Sequence, residues 1–131
     1  MKSFFTWSEF DKSVEQIANK CRFMEFSGIY GIPRGGLCLA VALSHKLKIK
    51  LIAEPKKNSL IVDDIYETGL TLTNFKDIEG TMFFVLFSKS KRKWWNSVFI
   101  SEKNEWIVLP WENALNSQSD HNDYIKKRGL N

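Results

Sequence analysis

Apolar positions recur at helical spacing near the start of the chain, at Phe10, Val14, Ile17, Ala18 and Cys21, with polar residues between them. Thr6-Trp-Ser-Glu9 just ahead has the form of a capping box, so a first helix is predicted behind Thr6. The pattern then changes. Phe26 to Ile32 reads as a strand, Arg34-Gly35-Gly36 as a turn, and Leu37, Ala40, Val41, Ser44 and Leu47 as a second helix with a small-residue face. Lys50 to Glu54 predicts a second strand and Pro55 to Ser59 a short turn. The β-branched run of Leu60 to Asp63 suits a central strand covered on both faces. A short helix over Leu70 to Asp77 and a strand over Thr81 to Phe87 follow. Beyond Ser97 come a short strand, a turn at Lys103-Asn104 and the segment around Trp106. The alternation of strands and helices predicts an α/β fold.

Composition narrows this only slightly. With 131 residues and 44% hydrophobic content the chain suits one domain, expected over residues 1–115, with a polar tail at 116–131. No apolar run approaches the length of a bilayer crossing, and Met1-Lys-Ser-Phe-Phe lacks the apolar region of a signal peptide, so no membrane association and a cytoplasmic location are expected. Cys21 and Cys38 fit neither a metal spacing nor a disulfide framework and are expected to be reduced thiols. The net charge of +4 favours an anionic partner without choosing among phosphorylated sugars, nucleotides and nucleic acid.

The chemistry concentrates in Ser59-Leu-Ile-Val-Asp-Asp-Ile-Tyr-Glu-Thr-Gly-Leu-Thr-Leu72. An apolar strand ends in Asp63 and Asp64, at the edge where open α/β sheets bind ligands. Glu67-Thr-Gly-Leu-Thr71 then supplies amides, hydroxyls and a glycine that lets the main chain approach an anion. One such acid alone ends many strands, and threonine caps many helices; the two acids followed by this turn favour a ligand site. Lys89, Lys91, Arg92 and Lys93 alternate with Trp94 and Trp95, a mixture compatible with nucleic acid or with a basic loop beside a subunit contact. His45 stands alone on a helix and is expected to be structural.

Val62-Asp-Asp-Ile-Tyr-Glu-Thr-Gly-Leu-Thr71 resembles the signature of the type I phosphoribosyltransferases, which bind phosphoribosyl pyrophosphate (PRPP) or a nucleotide. Gly31-Ile-Pro-Arg-Gly-Gly-Leu37 is similar to their pyrophosphate loop. Glu105-Trp-Ile-Val-Leu-Pro-Trp-Glu112 is similar to the base-binding segment of bacterial xanthine-guanine phosphoribosyltransferases. The resemblance runs from Thr6 to about Glu112 and implies a central, mostly parallel sheet flanked by helices.

It also implies roles. Asp63 and Asp64 engage the ribose hydroxyls, Asp64 being the candidate Mg²⁺ ligand, and Glu67 lies near the reacting centre, where family members often carry aspartate. Arg34, Gly35 and Gly36 hold pyrophosphate, and Thr68, Gly69, Leu70 and Thr71 hold the 5′-phosphate. Lys89 approaches the purine 6-oxo group, Trp106 stacks on the ring and Ile107 presents its backbone. An unusual peptide is expected at Pro33–Arg34. The implied activity is transfer of phosphoribosyl from PRPP to a 6-oxopurine in purine salvage, with Mg²⁺ as cofactor, a purine base or nucleoside monophosphate as partner and a homo-oligomer as the assembly. Nucleic acid is not an expected partner. The alternative is a non-catalytic nucleotide- or PRPP-binding protein of the same fold. One departure bears on that choice: family enzymes carry a long mobile loop before the signature strand, and this chain has Glu54-Pro-Lys-Lys-Asn-Ser59, too short to turn and also cover a nucleotide at about 3.5 Å per residue. Lys56 and Lys57 are expected to offer partial electrostatic cover.

Overall fold

The computed structural model describes residues 2–112, so the polar tail at 116–131 lies outside the described residues. Helix α1, Trp7–Cys21, begins where the capping box places it. Thr6 Oγ1 accepts from the Glu9 amide at 3.1 Å, and Glu9 Oε1 accepts from the Thr6 amide at 3.0 Å. Two of the amides at this helix end are thereby satisfied. Replacing Thr6 with Ala is expected to cost about 1 kcal/mol of stability, read as a lower denaturation midpoint with unchanged slope in urea.

Strand β2, Ile29–Gly31, leads through the glycine turn into α2, Leu37–Leu47, as the apolar spacing predicts. The small-residue face of α2 serves close packing. A Cβ on Gly31 would stand 2.7 Å from Ala40 Cβ and 2.6 Å from the Gly36 carbonyl oxygen, so helix and strand approach each other only because that Cβ is missing. Strand β3, Leu60–Tyr66, then forms, followed by α3, Leu70–Thr73, β4, Met82–Ser88, and β5, Asn96–Ile100. The main sheet has the order β2-β3-β4-β5, and every pairing in it is parallel.

Side chains alternate across this sheet with the period of two that a pleat requires. Leu60, Val62, Phe84 and Leu86 join Phe10, Ile17 and Ala18 of α1 and Leu39, Ala40 and Leu43 of α2. Ile61, Phe83 and Val85 face the other way, toward Leu72 and Trp95. Both faces of β3 and β4 are therefore covered, which is why their sequences are continuously apolar. Among the described residues no helix is long and apolar enough to cross a membrane.

Three elements differ from the sequence expectation. Lys50 to Glu54 forms no strand; it meets β2 in a single parallel bridge, Ile29 with Leu51, and turns away before Pro55, which has no amide to continue a ladder. The helix predicted over Leu70 to Asp77 closes at Thr73 and continues as tight turns, with Phe75 N donating to Leu72 O at 2.9 Å and Ile78 N to Phe75 O at 3.1 Å. A further pair of strands, β1, Lys2–Phe4, and β6, Trp106–Val108, forms a separate parallel ribbon. Three residues are too few for periodicity to announce β1.

Candidate functional site

The carboxyl ends of β2, β3 and β4 lie side by side, because parallel strands all end at the same edge. Asp63 and Asp64 occupy β3 near that edge and are 2% and 9% exposed. Such burial is costly for carboxylates unless they are bonded. Asp63 Oδ1 accepts from the Asp64 amide at 2.8 Å, and Asp64 Oδ1 accepts from the Ile65 amide at 2.7 Å. Asp64 lies on the side of the turn that leads into α2.

The turn before α2 meets Asp64 directly. A Cβ on Gly35 would fall 2.1 Å from Asp64 Oδ2, so the glycine is what allows the loop to lie against the carboxylate. Gly36 is equally constrained by backbone, since its Cβ would stand 2.4 Å from the Val62 carbonyl oxygen. Ile32 N donates to Val62 O at 2.9 Å and Gly36 N to Ile32 O at 2.8 Å, tying the loop to β3. Arg34 is exposed at its tip. The Pro33–Arg34 peptide, expected to be unusual, is cis.

Glu67 and Thr68 leave β3 in a bend, and Gly69 takes φ 80°, a left-handed conformation that suits glycine. Its Cβ would also fall 2.1 Å from the Tyr66 hydroxyl. Thr73 closes the loop from behind, its amide and its Oγ1 both donating to the Gly69 carbonyl, at 2.9 and 2.7 Å. Thr68 is exposed, Thr71 half-buried and Leu70 exposed at the mouth of this loop.

Lys89 follows β4, and its amide donates to Tyr66 O at 2.8 Å, which places it beside the end of β3. Its side chain is buried and its Nζ donates to the Glu105 carbonyl. Glu105 precedes β6, where Trp106 is half-buried and Ile107 buried. The three predicted motifs thus converge on one edge: the Arg34 turn against Asp64, the Glu67 loop continuous with β3, and Lys89 bridging from β3 toward Trp106.

Sequence reasoning missed Tyr66 and misplaced two features. Tyr66 stacks on Trp95 with centroids 3.7 Å apart and planes within 12°, and it backs Gly69; burial raises its hydroxyl pKa, so it remains protonated. Trp95, weighed above with the basic stretch, is core: it is 3% exposed and its Nε1 donates to Ser88 Oγ at 3.0 Å. Trp94 packs edge-on against Phe83. These rings are spent on the interior, which removes the aromatic half of a nucleic-acid pattern. The short connection is also corrected. Ser27 N donates to Asn58 O at 2.8 Å, Ser27 Oγ to Lys57 O at 2.7 Å, and Asn58 N to Glu79 O at 2.9 Å. Ser27, Ser59 and Glu79 all precede strands, so the connection is fastened at the amino edge of the sheet, away from Asp64. Lys57 pairs there with Glu79 at 3.6 Å, and the segment holding Lys56 and Lys57 does not cover the site. Burial raises the pKa of both Cys21 and Cys38, in keeping with inert thiols.

No family model matches the chain. It is similar to a purine phosphoribosyltransferase of Pyrococcus horikoshii, with 30% identity, a TM-score of 0.73, and coverage of 86% of this chain and 94% of that one. A xanthine-guanine phosphoribosyltransferase of Idiomarina loihiensis is 22% identical over 86% of this chain and 88% of its own length. A Neisseria gonorrhoeae protein solved with bound ppGpp has a TM-score of 0.69 at 16% identity, covering 98% of this chain and 97% of that one. Fold and edge together define an α/β protein with its ligand loops at a parallel sheet's carboxyl end. More particularly, the chain belongs to the type I phosphoribosyltransferase family, among its purine members.

Proposed function

We propose that this protein transfers the 5-phosphoribosyl group of PRPP to a 6-oxopurine, releasing pyrophosphate. The observation that supports the proposal is the seating of the Arg34-Gly35-Gly36 turn on Asp64, the contact that a pyrophosphate loop beside a ribose carboxylate would need. In this reading Arg34 and the loop amides hold the leaving pyrophosphate, and Thr68 to Thr71 hold the 5′-phosphate. Asp63 and Asp64 accept from the ribose hydroxyls, and Glu67 stands near the reacting carbon. Lys89 donates to the purine 6-oxo group, Trp106 stacks on the ring and Ile107 meets its far edge through the backbone.

The donor set fits magnesium bound with substrate. Among the described residues no group of three His, Cys, Asp or Glu could form a cage. Magnesium needs only a carboxylate or two when substrate phosphates and waters complete its octahedron. Asp64, facing the pyrophosphate loop, is the residue that would hold it, and the ion would supply charge neutralisation on the leaving group. The chain's own part is positioning and fixed electrostatics.

A second reading, a nucleotide or PRPP sensor without turnover, is favoured by the connection fastened at the amino edge. The ppGpp-bound fold relative supports a guanine nucleotide as its ligand. Incubation with Mg²⁺, PRPP and a panel of bases, followed by chromatography of nucleotide and pyrophosphate, separates the two. Guanine, hypoxanthine or xanthine is expected to be used, or its nucleotide bound, at least tenfold better than adenine or orotate, since a lysine offers donors to an oxo group and nothing to an amino group. Equal handling of adenine, or Trp106 fluorescence indifferent to every purine, would remove the base-site assignment.

A further inference from the structure

We propose that β1 is a positioning strap for the purine site, with Lys2 and Ser3 as the residues that hold the base-binding segment in its working pose. The inference deepens the base-site reading above and rests on it.

The ribbon it belongs to cannot stand alone. Two paired strands of three residues each are marginal in water, so the pose of Trp106 to Val108 depends on what β1 contributes. The register sets Lys2 opposite Trp106 and Ser3 opposite Ile107, and the Phe5 amide extends the ladder to Val108 O at 2.9 Å. Phe5 is buried and packs edge-on against Phe87 of β4 at 4.9 Å, which anchors the strap to the main sheet.

Of its polar side chains, Lys2 reaches one group proposed to read the base and Ser3 reaches the residue that holds the other. Ser3 Oγ donates to Glu105 Oε2. The backbone carbonyl of that same Glu105 receives Lys89 Nζ. One residue therefore ties the strap to the lysine assigned to the 6-oxo group. The Lys2 ammonium lies 5.4 Å from the centroid of the Trp106 ring, within cation–π range, and fixes the face that the indole turns toward β1. Neither residue is close to the phosphate loops in sequence or strand order, so its loss should weaken recognition of the base and spare recognition of the ribose phosphate.

The test compares two ligands by calorimetry on the full chain: guanosine monophosphate, which fills both halves of the site, and ribose 5-phosphate, which lacks the base. Lys2→Gln with Ser3→Ala is expected to weaken guanosine monophosphate about tenfold while ribose 5-phosphate affinity stays within twofold. Lys2→Arg with Ser3→Thr keeps the cation and the hydroxyl and is expected to restore binding. Lys2→Gln alone changes an exposed side chain, cannot compromise folding, and is expected to alter the Trp106 emission change on nucleotide binding. Affinities for the two ligands that fall together, or that both stay unchanged, overturn the strap. Wild-type protein that binds guanosine monophosphate no better than ribose 5-phosphate overturns the base-site reading itself, and the strap with it.

Discussion

Asp63→Asn combined with Asp64→Asn is expected to lower affinity for PRPP about a hundredfold and to leave the domain folded. Each acid accepts a backbone amide through Oδ1, and asparagine keeps an acceptor of the same size at that position, so the bonds within β3 survive the change. What disappears is the negative charge offered to ribose hydroxyls and to a ligand-bound cation. Hydrogen bonds to charged groups are worth about 1.5–3 kcal/mol each, and a combined loss of about 3 kcal/mol corresponds to the hundredfold figure. Asp64→Asn alone should carry the larger share, because Asp64 lies directly against the Gly35 turn. Calorimetry that finds PRPP affinity unchanged in the folded double variant would remove the ribose assignment.

Turnover is the second large effect. Any transfer from PRPP is expected to run at least a hundredfold below the enzyme norm of about 10 per second, with PRPP hydrolysis competing at a comparable rate. The reacting carbon passes through an oxocarbenium-like state that water traps, and excluding water both prevents this and strengthens the fixed charges around it. In this chain the segment where family enzymes carry their closing loop is bonded to Ser27 and Glu79 at the opposite edge of the sheet. Binding tolerates such an arrangement better than chemistry does. Measurement of both products over time decides it: fast transfer with negligible hydrolysis, independent of protein concentration, would show that closure is achieved within one chain by other means.

The parts of this molecule legible in its sequence are those with long periods or obligatory chemistry. The first helix was readable because its apolar stripe and its capping box agree, and the second because Leu37 to Leu47 keeps its spacing between a glycine turn and Lys48. The central strands were readable as apolar runs because both faces are covered. That β3 runs on past the acids to Tyr66 emerges only in the structure, because the sequence reads the acids as its end. Short elements escaped: β1 has no period to detect, and Lys50 to Glu54 had strand-like composition but only one bridge to show for it. Trp94 and Trp95 look alike beside four cations in the sequence. Only packing against Tyr66 and Phe83 reveals that Trp95 is core and that Trp94 packs against that core.

The ribbon of β1 and β6 joins residues 102 positions apart, Ser3 and Glu105. On a ribosome adding about 5–20 residues per second, the first strand waits roughly 5–20 s for its partner to be made. Strands β2 to β5 of the main sheet all lie between those two residues, so each of them is made while Phe4 and Phe5 still lack β6 to pair with. The amino-terminal strand therefore stays unpaired through nearly the whole of the sheet's synthesis, and the ribbon closes only after β5 has been made.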